Sequence, residues 1–478
     1  MKSHSIARNT SFMTLASVGQ KVVAFAYFTL IARIIGAEGT GTYFTALAFT
    51  TVFVVFVDLG FTNVLVREAA KAKDRLAEYV STLLFIKVVL GLFTYGALML
   101  TVHMLGYDIE LRHMIYLSGI TMMFDSLHLT LYGALRAIGN LTYEAISIVG
   151  SQLLTLVLGS IFLFLHLPLI FLIFAFTVSS VLNVVFVLYV LLRIYKMKLR
   201  VHYNPVVCKH LGRIAIPFAL AAVFARVYSY IDSLLLQRLA GDIAVGWYAI
   251  PYKITYAFQF IPLALVAAMY PRFSEYYEHD KDRLAYLFQQ GMKYLMLISF
   301  PIAVGIGILS EDIILLLYTS EYTNSVLPLR ILIGSLVFSY VSFPIGAFLN
   351  ACNRQVAQTV IVGIVMVVNI MLNLILIPMY SVVGAASAAL IGNVLLTFLG
   401  YLMVPQVVRV SHRFLLKILI QVTCSALVMG CVVWYVLGVT HIAVAILAGA
   451  LVYSCMLFVV RGVNRQQLKE ALSLVKKQ

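Results

Sequence analysis

Fourteen apolar stretches, each long enough to cross a lipid bilayer, follow one another along this chain of 478 residues. A membrane-spanning helix needs about 20 mostly apolar residues, and the polar gaps between these stretches are short. Because hydrophobic residues make up 62% of the sequence, we predict an all-α, polytopic membrane protein. The stretches lie at residues 12–35, 41–63, 79–105, 113–138, 143–166, 169–194, 211–238, 244–270, 286–309, 325–350, 355–379, 382–406, 413–437 and 441–461.

The Lys and Arg residues are unevenly distributed between the two sets of connecting loops. With a cytoplasmic N-terminus, 25 of the 34 fall in cytoplasmic segments. The opposite side receives only Arg33, Arg112, Arg238 and Arg330. This bias follows the positive-inside rule and predicts that both termini are cytoplasmic. The net charge of +15 therefore reflects membrane topology, and it does not indicate a nucleic-acid partner.

A short motif in the first two segments recurs 205 residues later, in segments 7 and 8. Its two copies read Arg33-x2-Gly36-x4-Gly41-x-Tyr43 and Arg238-x2-Gly241-x4-Gly246-x-Tyr248. At the same displacement, Lys21 corresponds to Arg226. Internal repeats with polar groups near the repeat interface are the usual architecture of secondary transporters.

The repeat predicts two pseudo-symmetric lobes of six helices each. We expect the N-terminal lobe at residues 1–200 and the C-terminal lobe at 201–410. Residues 411–478 have no counterpart in the first half and should form an appended pair, helices 13 and 14, and a cytoplasmic tail. Six is an even number, so both lobes should begin in the cytoplasm and be related by an axis along the membrane normal.

Charged side chains inside the apolar segments mark candidate functional positions. A charge near the centre of a spanning helix costs roughly 2.5–3.5 kcal/mol on insertion scales, so it usually faces a protein interior or a water-filled cavity. We predict Lys21, Arg226 and Lys253 as cations of a central cavity. A structural salt bridge is the alternative for each, and Lys253 could neutralise Asp232 on the neighbouring helix. Lys87 lies close enough to the cytoplasmic surface to snorkel towards it.

Aromatic and amide side chains follow the second copy of the motif. Tyr252, Tyr256 and Gln259 are spaced i, i+4 and i+7, which places them on one helix face. We predict that they bind substrate in the same cavity. Pro262 and Pro271 should kink this helix, and Pro344 should kink segment 10, as prolines do in spanning helices when neighbouring groups satisfy the freed carbonyl.

Four acidic or imidazole side chains within the segments are candidates for ion coupling. Asp125 and His128, at i and i+3 near the middle of segment 4, could bind a coupling H⁺ or Na⁺, and a buried hydrogen-bonded pair is the alternative. Asp58, near the inner end of segment 2, could instead accept backbone N–H bonds at the turn. Asp232 in segment 7 is the fourth candidate for ion coupling.

The connecting loops are too short to hold a soluble catalytic domain. The sequence has no phosphate-binding Gly-Lys loop, no His/Cys cluster with metal-ligand spacing and no nucleophile elbow. Its five cysteines show no ligand spacing either, and no channel-filter repeat is recognisable. We therefore predict a protein that is not an enzyme and that uses no cofactor and no metal.

Several short motifs resemble those of the bacterial and archaeal polysaccharide-export family, the O-antigen repeat-unit flippases. Their superfamily also holds the lipid II flippase and the multidrug and toxic-compound extrusion transporters. The motifs are ARIIGAEGTGTY, DLGF, VREAAK, SYIDSLLLQ and GWYAIPYK, and the similarity runs from about residue 5 to 410. The resemblance implies a V-shaped, two-lobed bundle that turns over an undecaprenyl- or dolichyl-linked oligosaccharide. It also implies that Lys21, Arg226 and Lys253 meet the lipid-linked phosphates.

The expected function is thus a flippase for a lipid-linked oligosaccharide, acting by alternating access in the cytoplasmic membrane of a bacterium or archaeon. Membrane lipids and a glycan polymerase or glycosyltransferase are the expected partners. A cation-coupled multidrug exporter of the same fold is the first alternative, although it would prefer an acidic cavity. A membrane-embedded polysaccharide polymerase is the second, although it would need a large outer loop.

Overall fold

The computed structural model describes residues 6–199 and 204–460, and every regular element in these ranges is a helix. The predicted all-α class is confirmed. The α-helices are α1 (Ile6–Asp58), α2 (Phe61–Lys71), α3 (Leu76–Leu105), α4 (Ile109–Ile138), α5 (Thr142–Phe164), α6 (Ile170–Tyr189), α7 (Pro205–Ala257), α8 (Phe260–His279), α9 (Lys281–Ile308), α10 (Ser310–Leu317), α11 (Val326–Ala351), α12 (Gln355–Met403), α13 (His412–Leu437) and α14 (Ile442–Val459). Short helical turns occur at Lys73–Arg75, Val190–Ile194, Ser320–Ser325 and Val404–Gln406.

Ten helical stretches of the described chain are long and apolar enough to cross a membrane. Three of them have 47, 61 and 52 residues, more than twice the roughly 20 that one crossing needs. Each is bent by a non-helical residue, Gly36, Gly241 or Ser381, so each holds two crossings. With the 30 residues of α4 added, the fourteen predicted segments are accounted for. The chain is a multi-pass membrane protein.

Two compact units divide the chain, Met1–Gly246 and Trp247–Gln478. In the first unit α4 lies at the centre, packed against α6, α3, α1 and α2, while α5 packs on α1 and α6. In the second unit α11 packs against α12 and α9, and the pair α13–α14 is attached mainly through α9. The predicted lobe boundary at residue 200 and the predicted tail after residue 460 lie outside the described residues, and the division into lobes stays a prediction.

Two prolines free a backbone carbonyl that a buried tyrosine from another helix then satisfies. A proline cannot donate a hydrogen bond to the carbonyl four residues before it. Pro262 thus frees the Phe258 carbonyl, which accepts a 2.6 Å bond from the Tyr340 hydroxyl. Around this point the helix is interrupted, because α7 ends at Ala257 and α8 begins three residues later, at Phe260. The kink predicted at Pro262 coincides with this interruption, whereas Pro271 and Pro344 lie inside the continuous helices α8 and α11.

Pro301 frees the Leu297 carbonyl of α9 in the same way. The hydroxyl of Tyr453 on α14 donates a 2.8 Å bond to that carbonyl, and Tyr453 is only 7% exposed. This bond anchors the last helix to α9.

Replacing Tyr453 by phenylalanine should therefore destabilise the protein by about 1 kcal/mol, the usual magnitude for a hydrogen bond inside a membrane protein. Thermal unfolding of the purified protein in detergent measures the loss. Tyr435→Phe is the matched control, because Tyr435 lies on α13 with 68% exposure. In a Pro301→Ala background the backbone N–H is restored, so the effect of Tyr453→Phe should shrink. An equal effect in both backgrounds would contradict this account.

Candidate functional site

The two copies of the repeated motif adopt the same backbone geometry. Gly36 has φ 71° and ψ −176°, and Gly241 has φ 84° and ψ 177°. Residues with a Cβ atom are essentially excluded from this region of φ/ψ space. The tyrosines that end the two motifs, Tyr43 and Tyr248, are both buried. The predicted repeat is therefore a structural repeat.

Reciprocal close contacts join the two motifs within the first unit. A Cβ atom on Gly41 would overlap the backbone carbonyl of Asp242, and a Cβ atom on Gly246 would overlap that of Ala37. Ala37 and Asp242 are themselves equivalent positions, since they are also 205 residues apart. The two backbones approach closely because both motifs supply glycine there, as small residues do at helix interfaces in membranes.

Lys21 and Arg226 occupy equivalent positions in their helices. Each precedes the bend of its repeat, at Gly36 or Gly241, by fifteen residues, which is about 22 Å of helix. Both lie within membrane-spanning stretches, Lys21 half-buried and Arg226 exposed on the protein surface. The structure thus brings both cations to the same depth in their helices. Their joint use as a phosphate site stays a prediction.

The predicted aromatic face of α7 is a row of three neighbouring rings, the tyrosine ladder, formed by Tyr248, Tyr252 and Tyr256. The rings of Tyr252 and Tyr256 are stacked, with centroids 5.9 Å apart and planes 10° apart, and Tyr248 lies 6.2 Å beyond Tyr252. Lys253 lies on the same helix and is half-buried. Gln259 falls outside this ladder, because the helix is interrupted after Ala257. The i, i+7 relation predicted for Gln259 therefore does not hold as a continuous helix face.

Lys87 does not extend to the surface, as the snorkelling hypothesis required. It is 1% exposed, and its ammonium forms a 2.5 Å ion pair with Asp58. The same nitrogen donates to the Thr62 hydroxyl and to the Ser126 carbonyl, each at 3.0 Å. Asp58 also accepts from Thr62 at 2.5 Å. Three acceptors from three helices hold the ammonium within the first unit.

Asp125 and His128 come together as their i, i+3 spacing indicated. The His128 Nδ1 atom lies 3.5 Å from an Asp125 carboxylate oxygen, and the Ser180 hydroxyl of α6 donates to the same oxygen. The fourth ion-coupling candidate, Asp232, is buried on α7. Ion coupling by any of these residues stays a prediction.

Three polar residues near this pair were missed by the sequence analysis. The Tyr132 hydroxyl donates a 3.0 Å bond to the Asn183 side-chain oxygen, and the Ser147 hydroxyl donates to that same oxygen. For Tyr132 the available signal was a run of polar residues on α4 spaced three or four apart, continuing beyond Asp125 and His128; Ser147 on α5 and Asn183 on α6 had no such signal. That spacing indicates one helix face.

Comparisons with known proteins place the chain among polysaccharide-related membrane proteins. The family described as "Polysaccharide biosynthesis protein" matches residues 6–277, which is more than half of the chain. A second match, to the family described as MatE, covers residues 217–375.

Individual relatives agree with this match. The probable flippase AglR of Haloferax volcanii is 28% identical over 188 residues, which are 38% of this chain and 39% of that protein. The match therefore spans less than half of AglR. The capsular polysaccharide biosynthesis protein CapF of Staphylococcus aureus is 24% identical, over 80% of this chain and 94% of that protein.

A solved structure of the lipid II flippase MurJ, in an inward closed conformation, has the same fold. It superposes with a TM-score of 0.75 at 18% identity and covers 93% of this chain and 97% of that one. At this identity the likeness concerns the fold alone. Fold, duplicated motif and family match together lead to one conclusion: the chain belongs to the polysaccharide biosynthesis protein family.

Proposed function

We propose that this protein is a flippase that moves a polyprenyl-phosphate- or diphosphate-linked oligosaccharide repeat unit across the cytoplasmic membrane. The observation that carries the proposal is the pair Lys21 and Arg226, two cations at equivalent repeat positions within spanning helices. A sugar headgroup bearing phosphate cannot enter hydrocarbon, because its charges and hydroxyls would lose water without replacement. Cationic side chains within a spanning helix can replace that water by donating hydrogen bonds to the phosphate oxygens and balancing their charge.

The proposed phosphate ligands differ in their chemistry. A guanidinium such as that of Arg226 offers paired donors to phosphate oxygens, whereas an ammonium such as that of Lys21 acts as a point charge. Lys253 is the third proposed cation. The stacked Tyr252 and Tyr256 rings offer aromatic faces to sugar rings and hydroxyls to sugar oxygens. Gln259, at the helix interruption, adds amide donors and acceptors.

The rest of the substrate and its partners follow from the same chemistry. The undecaprenyl or dolichyl tail remains among membrane lipids while the headgroup crosses by alternating access. The relatives named for flippase and capsule functions support a role in cell-surface polysaccharide synthesis, with a glycosyltransferase before this step and a polymerase after it. The positive-inside distribution supports cytoplasmic termini. No bond in the substrate is made or broken, so the protein acts as a transporter and not as an enzyme.

Ion coupling is proposed for the embedded acids of the first unit. Asp125 and His128 form the candidate site for H⁺ or Na⁺, and Asp232 on α7 is a second. Asp58 is the weakest candidate, because Lys87 already neutralises it at 2.5 Å.

A multidrug exporter is the second candidate, and the match to the MatE family over residues 217–375 favours it. An exporter of organic cations requires acidic groups that meet the drug. Of the three embedded acids, Asp58 is paired with a lysine and Asp125 with a histidine, and this pairing favours the anionic substrate.

Deletion of the gene tests the proposal, with the lipid-linked intermediates extracted and analysed. We expect a polyprenyl-linked oligosaccharide to accumulate and the surface glycan to disappear, and the cloned gene should reverse both changes. Unchanged lipid-linked intermediates, together with increased sensitivity to cationic drugs, would instead indicate the exporter. Shortened surface chains with normal transport would indicate a polymerase.

A further inference from the structure

One face of α4 carries polar side chains from Ser118 to Arg136, over about two thirds of the helix. They occur every three or four residues, which keeps them on one side of the helix. The first and the last are eighteen positions apart, or about 27 Å of helix, which is close to the roughly 30 Å thickness of the hydrocarbon core. The residues of this α4 stripe are Ser118, Thr121, Asp125, His128, Tyr132 and Arg136.

On the N-terminal side of Asp125, the hydroxyls of the α4 stripe bond neutral hydroxyls of neighbouring helices. Ser118 bonds the Thr50 hydroxyl of α1 at 2.7 Å, and Thr121 bonds the Thr177 hydroxyl of α6 at 2.7 Å. Both α4 side chains are buried. These contacts hold α4 against its neighbours without any group that titrates near neutral pH.

On the C-terminal side of Asp125, the α4 stripe consists of an imidazole, a phenol and a guanidinium group. The His128 ring lies 5.0 Å from the Tyr132 ring, centroid to centroid. Tyr132 donates to Asn183, and one turn further the guanidinium of Arg136 bonds Glu144 with two nitrogens, at 2.5 and 3.0 Å. The His128 and Tyr132 rings and the Arg136–Glu144 ion pair thus line the α4 stripe from its middle to the Arg136 end.

Charged groups on the neighbouring helices are already paired with one another. Lys87 of α3 is within electrostatic range of His128, and Asp58 of α1 neutralises it. Glu144 of α5, within electrostatic range of Tyr132, is neutralised by Arg136. Helix α6 contributes neutral hydroxyl and amide groups, among them Ser180. The ion pairs Lys87–Asp58 and Arg136–Glu144 are each neutral as a whole. A proton gained by Asp125 or His128 therefore adds a positive charge that neither pair offsets.

We propose that Asp125 and His128 hold the coupling proton, and that this proton exchanges with the aqueous phase at the Arg136 end of α4 by way of the Tyr132 hydroxyl, which takes up one proton as it releases another and which Asn183 orients. Only O–H and N–H bonds form and break along this path. The inference deepens the proposed flippase function by identifying the coupling ion and the side from which it is taken up. The charge distribution predicts that side to be cytoplasmic.

The partners of Asp125 favour a proton over Na⁺. Hard cations prefer sets of several oxygen ligands. The carboxylate instead faces an imidazole nitrogen at 3.5 Å. This protonatable neighbour disfavours Na⁺ at the site and suits a proton that is shared between a carboxylate and an imidazole.

Infrared spectroscopy of the full-length protein in lipid nanodiscs tests this directly and needs no substrate. Wild type should show a carboxylic-acid carbonyl band that appears as pH falls and is absent in Asp125→Asn. His128→Gln should move the midpoint of that band by about one pH unit or more. Replacing K⁺ by Na⁺ in the buffer should leave the band unchanged. A band that disappears with Na⁺ at constant pH, or no Asp125-dependent band at any pH, would overturn the proposal.

The path is tested by the rate at which the band responds to a pH jump. Tyr132→Phe should slow that response about tenfold or more, because relayed proton transfer through a positioned side chain typically contributes at least that factor. Tyr143→Phe is the matched control, since Tyr143 lies near the same end of the bundle and packs on Tyr195 outside the α4 stripe. Equal rates in the two variants would remove Tyr132 from the path.

These outcomes are separable from those of the deletion experiment. Accumulated lipid-linked oligosaccharide without an Asp125-dependent band would keep the flippase and reject proton coupling at this site. A normal band with unchanged lipid-linked intermediates would keep the proton site and reject the flippase.

Discussion

Replacing Arg226 by alanine is expected to abolish surface polysaccharide while the protein remains in the membrane at normal abundance. A hydrogen bond to a charged group contributes roughly 1.5–3 kcal/mol, so losing the guanidinium–phosphate contact should cost about tenfold or more in affinity. Lys21→Ala should have an effect of the same order, since Lys21 occupies the equivalent repeat position. Surface glycan quantified in a deletion strain that carries each variant is the measurement.

The controls separate phosphate binding from loss of charge. Arg354 lies exposed at a turn outside the spanning helices, so Arg354→Ala should leave glycan export intact. Arg226→Lys keeps the charge but loses the paired donors and should retain part of the activity. Normal surface glycan in both Arg226→Ala and Lys21→Ala would remove the proposed phosphate site.

Replacing Lys87 by methionine should cause the largest loss of stability of any single substitution considered for this chain. The change leaves the Asp58 carboxylate with the Thr62 hydroxyl and backbone N–H as its described partners and with no positive charge beside it. Breaking a buried ion pair from one side costs about 3–5 kcal/mol. The Asp58 side chain is 24% exposed, so we expect a value near the lower end. Thermal or denaturant unfolding in detergent measures it.

A second substitution should recover part of this loss. Asp58→Asn combined with Lys87→Met removes both charges, and replacing a buried ion pair as a whole is often close to neutral. Lys417→Met, at an exposed position of α13, is the control for loss of a lysine. A double variant no more stable than Lys87→Met alone would show that the ion pair is not the reason for the effect.

The secondary structure and the repeat could be predicted because their causes are local in sequence. Hydrocarbon satisfies no backbone polar group, so each apolar run of sufficient length must form a helix. The recurrence of Gly36 as Gly241 is equally local, since a bend with positive φ and a ψ near 180°, as at these two residues, requires glycine at one position. For the same reason the interruption before Pro262 could be predicted from a single residue.

The partners of embedded polar groups could not be predicted in this way. Depth and helix face can be deduced from sequence, and on that basis Lys87 was expected to reach the surface. Its carboxylate partner, Asp58, lies 29 positions away on another helix. The Ser180 contact of Asp125 spans 55 positions. Such pairs depend on how neighbouring helices are rotated and on their register, which helix packing decides.

The sequence by itself thus determined the class of protein, its fourteen crossings and its duplicated bends, because each follows from the solvation of a short run of residues in lipid. Only the tertiary structure decided which embedded charges are neutralised and which polar groups line one face of α4. The physical reason is that an ion pair or hydrogen bond inside a membrane requires two groups within about 3 Å, and helices distant in sequence must pack before that distance exists.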